Sequence, residues 1–162
     1  EIVDEKLIKI VQDLDDIPGY EVFKYYDEDG NKVDVKSDDL NAYIREHMGE
    51  NFSAKDFRTW SATKIFFERL RETGYTEDEK ANKKNILRAY DTTAEALNNT
   101  RSVCRSYYVH PHVVHLYETG EIVPYFKKVD RKRTSKSHFS QTEEGLLEMI
   151  NDFEIELSTN KN

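Results

Sequence analysis

The sequence predicts a mostly α fold with at most one short hairpin, and three observations carry that expectation. Apolar residues recur at three- and four-residue intervals through most of the chain. These periodic stretches have helix-capping residues in front of them and Gly, Pro or Asn behind them. A single stretch, residues 22–26, reads as extended, and it runs into the turn Asp27-Glu28-Asp29-Gly30-Asn31.

Taken in order, residues 4–14 place Leu7, Ile10, Val11 and Leu14 on one helical face, and Pro18-Gly19 ends the segment. The Asp-x-Asp-Gly turn after residue 26 has the look of a calcium loop, but the other ligand positions and the closing glutamate are absent. Ser37 is expected to cap a second helix, with Asp38 and Asp39 in its first turn, where the helix dipole favours negative charge. Leu40, Tyr43, Ile44 and Met48 would be its buried stripe, and Gly49 its stop. Ser53 opens a third helix with Asp56 at its third position. There Phe57, Trp60, Phe67 and Leu70 share a face, with Arg58 at its edge.

Gly74 separates that helix from a long polar one, expected from about residue 76 to residue 97. Ile86, Leu87, Tyr90, Ala94 and Leu97 form its apolar side, and Asn98-Asn99 ends it, since asparagine tolerates left-handed backbone. The next stretch, Asn99 to Pro111, reads as a polar cap, one or two helical turns, and the pair Tyr107-Tyr108 running into His110-Pro111. Proline disfavours helical backbone in the residue before it, so Tyr108 is expected close to a helix boundary. Val113, Val114 and Tyr117 suggest a short helix ended by Gly120. Residues 121–141 are basic and show no period, and they read as a loop or arm. A last helix over residues 142–157 would bury Leu146, Leu147, Ile150 and Phe153. The expected organisation is therefore a helical subdomain over 1–120, a basic arm over 121–141, and a C-terminal helix over 142–157 packed on the same domain.

Composition sets bounds on function. The chain has 162 residues, 37% hydrophobic and 35% charged, which suits a helix-rich domain with a well-solvated surface. No apolar run reaches the length of a membrane span, and the start does not read as a signal peptide. Cys104 is the one cysteine, so there is no internal disulfide framework. The net charge of −8 is uneven: residues 1–50 hold 6 Lys/Arg against 15 Asp/Glu, and residues 51–162 hold 18 against 17. A basic cluster of Lys127, Lys128, Arg131, Lys132, Arg133 and Lys136 lies in the second part. Phosphate binding depends on where cations face, so the acidic total does not exclude nucleic acid. His110, His112 and His115 have a spacing suggestive of a metal site, but Pro111 breaks the local geometry and no metal site is expected.

Three segments carry a resemblance. Asn99-Thr100-Arg101-Ser102-Val103-Cys104-Arg105-Ser106-Tyr107-Tyr108-Val109-His110-Pro111 resembles the nucleophile segment of bacterial type IB DNA topoisomerases. Phe52-Ser53-Ala54-Lys55-Asp56-Phe57-Arg58-Thr59-Trp60 matches a family motif with one Ser-for-Thr change. Ser37-Asp38-Asp39-Leu40-Asn41-Ala42-Tyr43-Ile44 resembles a third, and the three occur in the family's order. The chain is thus similar to the C-terminal part of the bacterial and poxvirus-like type IB catalytic domain.

The resemblance implies relaxation of supercoiled DNA through a 3′-phosphotyrosyl intermediate, with neither ATP nor metal and no cofactor. It implies Tyr108 as nucleophile, with Arg58 and Asn99 as donors to the reacting phosphate. Tyr107 stands where the family has Ser, Asn98 where it has Gly, and Arg101 where it has Pro. Lys55, Arg105, Lys132 and Arg133 are further candidates for DNA contact. The family's general-acid lysine and second arginine lie upstream of the region matched by Glu1-Ile2-Val3, so the chain is expected to be part of a larger enzyme and inactive alone. Double-stranded DNA and the N-terminal part of the same enzyme are the expected partners, in a monomer at the bacterial nucleoid. Two other readings share features with this one. Tyrosine recombinases have the same nucleophile chemistry but usually carry His-x-x-Arg, where this chain has Lys55-Asp56-Phe57-Arg58. A non-catalytic helical DNA-binding module would leave Arg58, Asn99 and Tyr108 scattered in space.

Overall fold

The computed structural model describes residues 3–131 and 139–152. These form eight α-helices, one π-helical turn and a two-stranded antiparallel hairpin, the mostly α architecture expected. Among them no helix is long and apolar enough to cross a membrane. The chain divides into two compact units, Glu1–Lys55 and Asp56–Asn162.

In the first unit, α1 (Glu5–Asp15) begins at Asp4, whose carboxylate accepts the Lys6 and Leu7 amides. Strands β1 (Lys24–Tyr26) and β2 (Lys32–Asp34) pair with Tyr25 opposite Val33. The Asp27 carboxylate ties the intervening turn by accepting the Asp29 and Asn31 amides at 3.0 and 2.7 Å. Helix α2 (Ser37–Met48) is capped at Lys36, not Ser37, and the Asp39 carboxylate accepts the Lys36 amide at 2.8 Å. Asn41 of α2 accepts the Ala54 amide at 2.9 Å, satisfying one of the orphan donors at the start of α3 (Ala54–Thr73). The stripes expected on α1 and α2 are largely open. Leu7, Ile10, Leu40, Tyr43 and Met48 are exposed, while Ile44 is buried. Helical spacing identifies an apolar face but not its cover, and two short helices with a three-residue hairpin bury little surface.

The second unit has a continuous core. On α3 the side chains of Ala62, Phe66, Phe67 and Leu70 have no exposure, whereas Phe57, expected among them, is 52% exposed and Trp60 is half-buried. Phe57 lies in the first turn, ahead of the part of α3 that meets the core. Helix α4 (Glu79–Ala96) is capped by Asp78, two residues beyond the expected start, and buries Ile86, Ala89, Tyr90 and Ala94 while leaving Leu87 exposed. Phe66 packs against Tyr90 with the rings tilted by 44° and 4.5 Å between centroids. After α5 (Arg101–Val103) and the π-turn (Cys104–Tyr108), α6 (Pro111–Thr119) starts with proline in its first turn and ends at Gly120 in left-handed backbone. The Tyr117 hydroxyl, at the end of α6, donates to Gly74 O at 2.5 Å and accepts from Asn85 at 3.1 Å.

The stretch expected to be a basic loop contains a further helix, α7 (Val123–Arg131). Ile122, Phe126 and Val129 recur at helical spacing and are buried, with Phe126 edge-on to Phe67 at 5.2 Å. Its cations lie outside this stripe, Lys128 pairing with Glu148, and Asp130 accepts from Arg71 at 2.5 Å. Helix α8 (Gln141–Asn151) buries Leu146 and Met149 and begins in a capping box, Ser140 with Glu143. Phe153, Lys132, Arg133 and Lys136 lie outside the described residues.

Two expectations follow from α8. A Cβ on Gly145 would run into a γ-methyl of Val129, a side chain that is stiff at χ1 in a helix. Gly145→Ala should therefore destabilise by about 1–3 kcal/mol in urea unfolding, and adding Val129→Ala should cost less than the two single changes summed. The Glu143 carboxylate is held down at about 2 by the Ser140 amide and hydroxyl, with Lys64 adding to the effect. Its folded value lies below its ordinary 4.5, so its contribution is complete above that pH and is lost as pH falls toward 2. Glu143→Gln should flatten that part of the stability-versus-pH curve.

Candidate active site

The site is built where α4 ends. Asn98 takes left-handed backbone at φ 51°, its amide donates to Glu95 O at 3.2 Å, and the Asn99 amide donates to Ala94 O at 2.8 Å. This is a Schellman cap, and it leaves the carbonyl of Leu97 pointing beyond the helix end. That oxygen accepts from two side chains distant in sequence from one another. Arg58 Nη2 donates to it at 2.5 Å and Asn99 Nδ2 at 3.1 Å. The negative end of the α4 dipole adds to the attraction for the guanidinium.

Tyr108 completes the group. The Arg58 guanidinium lies over its ring at 5.4 Å from the centroid, a cation–π contact. Tyr108 is half-buried, while Tyr107, one residue earlier, is 64% exposed. The turn that carries both is π-helical, closed by the Val109 amide on Cys104 O at 3.0 Å. Val109 is then extended, so the chain leaves the helix directly after Tyr108, where the His110-Pro111 pair led one to expect a boundary. The wider π ring was not expected; such turns frequently mark functional sites.

Arg58, Asn99 and Tyr108 are thus brought together. The contact between α3 and the Tyr108 segment is direct. It includes Thr63, a buried residue one turn and a half along α3 from Arg58. Thr63 Oγ1 accepts the His110 amide at 3.1 Å and lies 3.2 Å from Tyr108 O and 2.8 Å from Thr59 O. Neither Thr63 nor the Leu97 carbonyl was singled out from the sequence. A backbone oxygen has no residue signature, and a threonine inside a helix looks neutral.

Arg105 is exposed and lines a groove of about 190 Å³ with Lys83, Tyr90 and Glu118. Lys55 is exposed in the first turn of α3 and falls in the first unit. Lys132 and Arg133 are outside the described residues.

The local electrostatics favour neutral groups beneath the site. Burial pushes the Cys104 thiol up, against the opposing pull of Arg58. Burial holds His110 below the usual imidazole value, and its Nδ1 accepts the His112 amide at 3.3 Å, a role that needs the neutral ring. Arg101 meets Asp91 through two parallel bonds of 2.6 and 2.7 Å, pinning the start of α5 to α4.

Residues 1–139 match the family described as "Eukaryotic DNA topoisomerase I, catalytic core". The chain belongs to the DNA topoisomerase I catalytic-core family. A DNA topoisomerase 1B from Acanthamoeba polyphaga mimivirus is 39% identical to it over 120 residues, 70% of this chain and 35% of that protein. The topoisomerase-family chain therefore spans about a third of the length of this relative. The family match runs through both units and past the Tyr108 segment, ending in the part of the chain that follows α7.

The cap at Asn98 offers a test of how the site is held. Left-handed backbone costs an L-residue roughly 1–2 kcal/mol, less for asparagine and nothing for glycine. Asn98→Gly should leave stability equal or raise it by up to about 1 kcal/mol, and Asn98→Val should lower it by about 1–2 kcal/mol, read by urea unfolding with Trp60 fluorescence.

Proposed function

We propose that the chain forms the nucleophile-bearing part of a type IB DNA topoisomerase, which relaxes supercoiled duplex DNA by cutting and resealing one strand. The observation that carries this reading is that Arg58 and Asn99 donate to one acceptor oxygen while the Arg58 guanidinium lies over the Tyr108 ring. Residues so far apart in the sequence of a purely structural helical domain would have no reason to gather in this way.

In this reading a non-bridging phosphate oxygen takes the place of the Leu97 carbonyl. Arg58 offers two parallel N–H bonds to the oxygens that gather charge in the five-coordinate transition state, and the Asn99 amide adds a neutral donor. The Tyr108 hydroxyl gives up its proton to solvent as its oxygen attacks phosphorus, and the new P–O bond forms as the P–O5′ bond breaks. The 5′-oxygen leaves with a proton, and the 3′ end stays on Tyr108. Resealing is the reverse attack by the 5′-hydroxyl, and the phosphotyrosyl ester conserves the bond energy, so ATP is not needed. The exposed Tyr107 has no part in this chemistry.

The same reading assigns protonation of the 5′-oxygen, and a second arginine, to a part of the enzyme beyond the motifs of residues 1–162. Lys55, Arg105, Lys132 and Arg133 remain candidates for backbone-phosphate contact, which would make binding steeply salt-dependent.

Covalent adduct formation tests the proposal. In the full-length enzyme Tyr108→Phe should abolish the adduct, and Arg58→Ala should slow cleavage about 10²–10³-fold. A polypeptide of residues 1–162 should form no adduct on ordinary DNA but a measurable one on a substrate with sulfur as the bridging 5′ atom, because a thiolate leaves without a proton. An adduct that survives Tyr108→Phe would overturn the assignment.

A further inference from the structure

The π-turn creates a backbone problem at the residue that matters most. In a continuing helix the Tyr108 carbonyl would accept an amide four or five residues on. Here Val109 is extended, the chain turns away, and residue 111 is a proline without an N–H. The Tyr108 carbonyl and the His110 amide are therefore both turned out of helical pairing, one on each side of Val109, which is itself buried. Unpaired buried backbone groups are costly, so each needs a partner from elsewhere.

Thr63 offers one to both. Its hydroxyl, on a side chain 2% exposed, accepts the His110 amide at 3.1 Å and faces the Tyr108 carbonyl at 3.2 Å. A hydroxyl is one of the few side-chain groups that can accept from one backbone group and donate to the other through a single atom. The residue is held from behind as well. Thr59 O lies 2.8 Å from the same oxygen, and Phe66, Phe67 and Leu70 lock the face of α3 on which Thr63 sits. One hydroxyl hydrogen serves both carbonyls, Thr59 O and Tyr108 O.

We propose that Thr63 is a positioning residue for the nucleophile: its hydroxyl clips the two backbone groups flanking Val109 and so fixes the direction in which Tyr108 leaves the π-turn. This rests on the reading of Tyr108 as nucleophile. Arg58 and Thr63 stand on the same helix, so α3 sets the phosphate donor and the backbone of the attacking residue in one rigid frame. A helix carrying both keeps their separation constant as the site engages DNA. Misplacing a reacting group by about 1 Å costs on the order of 10²-fold in rate, so a backbone clip of this kind acts on the chemical step and not on DNA binding.

The experiment compares Thr63→Val, Thr63→Cys and Thr63→Ser in the full-length enzyme, measuring single-turnover cleavage, non-covalent DNA affinity and melting temperature. Valine keeps the shape and loses the hydroxyl; serine keeps the hydroxyl and loses a methyl; cysteine keeps a weak donor and acceptor. Cleavage should follow hydrogen-bonding capacity. Serine should be within about threefold of the parent, cysteine slower, and valine slowed about 10–100-fold, with DNA affinity unchanged throughout. If valine does not fold, the serine and cysteine proteins still give the comparison. Rates that follow melting temperature, or that are equal across the series, overturn the proposal. Tyr108→Phe run beside them separates the two readings: loss of its adduct with no effect at position 63 rejects the clip alone, and retention of its adduct rejects the nucleophile.

Discussion

Ala62, Phe66, Phe67 and Leu70 have no solvent exposure, and their burial sets the rotation of α3 about its own axis. Each large apolar side chain so buried contributes about 1.5–3 kcal/mol, so turning the helix to another face is prohibitive in a domain of this size. With the rotation set, the rest follows from helical geometry. Arg58 lies about 40° round the helix from Ala62 and one turn nearer the N-terminus, beyond the edge of the core. It points toward the end of α4 while remaining open to solvent. Thr63 falls on the same stripe as Phe67 and Leu70 and faces inward, against the segment that carries Tyr108. One packed helix thus aims an exposed cation and a buried hydroxyl at the same short stretch of chain.

The elements that could be read from the sequence were those governed by local backbone rules. Asn98, Gly120 and Pro111 each mark a boundary because few residues accept left-handed backbone and none but proline lacks the amide. Helix α7 was missed because Pro124 and a run of cations obscured the spacing of Ile122, Phe126 and Val129. The opposite error occurred in the first unit, where Leu7, Ile10, Leu40, Tyr43 and Met48 have the right period and no cover. Period reports which face is apolar; burial depends on what arrives to pack there. In the candidate site the three side chains were legible through their motifs. The oxygen on which two of them meet was not, and the extra residue in the π-turn was not, because both are properties of the backbone.

The charge distribution fits this division of labour. The acidic excess is confined to residues 1–50, and Arg58 stands where the α4 dipole and a free carbonyl both attract a cation. Beneath it, Cys104 and His110 are pushed by burial toward their uncharged forms. The surface pair Arg101–Asp91 is exposed and adds order to the start of α5 more than stability.

If the Arg58–Asn99 pair binds phosphate as proposed, the Leu97 carbonyl has a consequence for which anions it would accept. An acceptor tethered to the same chain competes at a high effective concentration, on the order of millimolar or above for a short linkage. A free phosphate ion approaching the pair must displace that tethered oxygen and gains only the difference between two similar hydrogen-bonded states. A phosphate held in place by many other contacts along a polymer carries its own effective concentration into the exchange. On the proposed reading the helix end would thereby act as a built-in competitor, a filter that discounts small diffusing anions and yields to a phosphate already delivered in register.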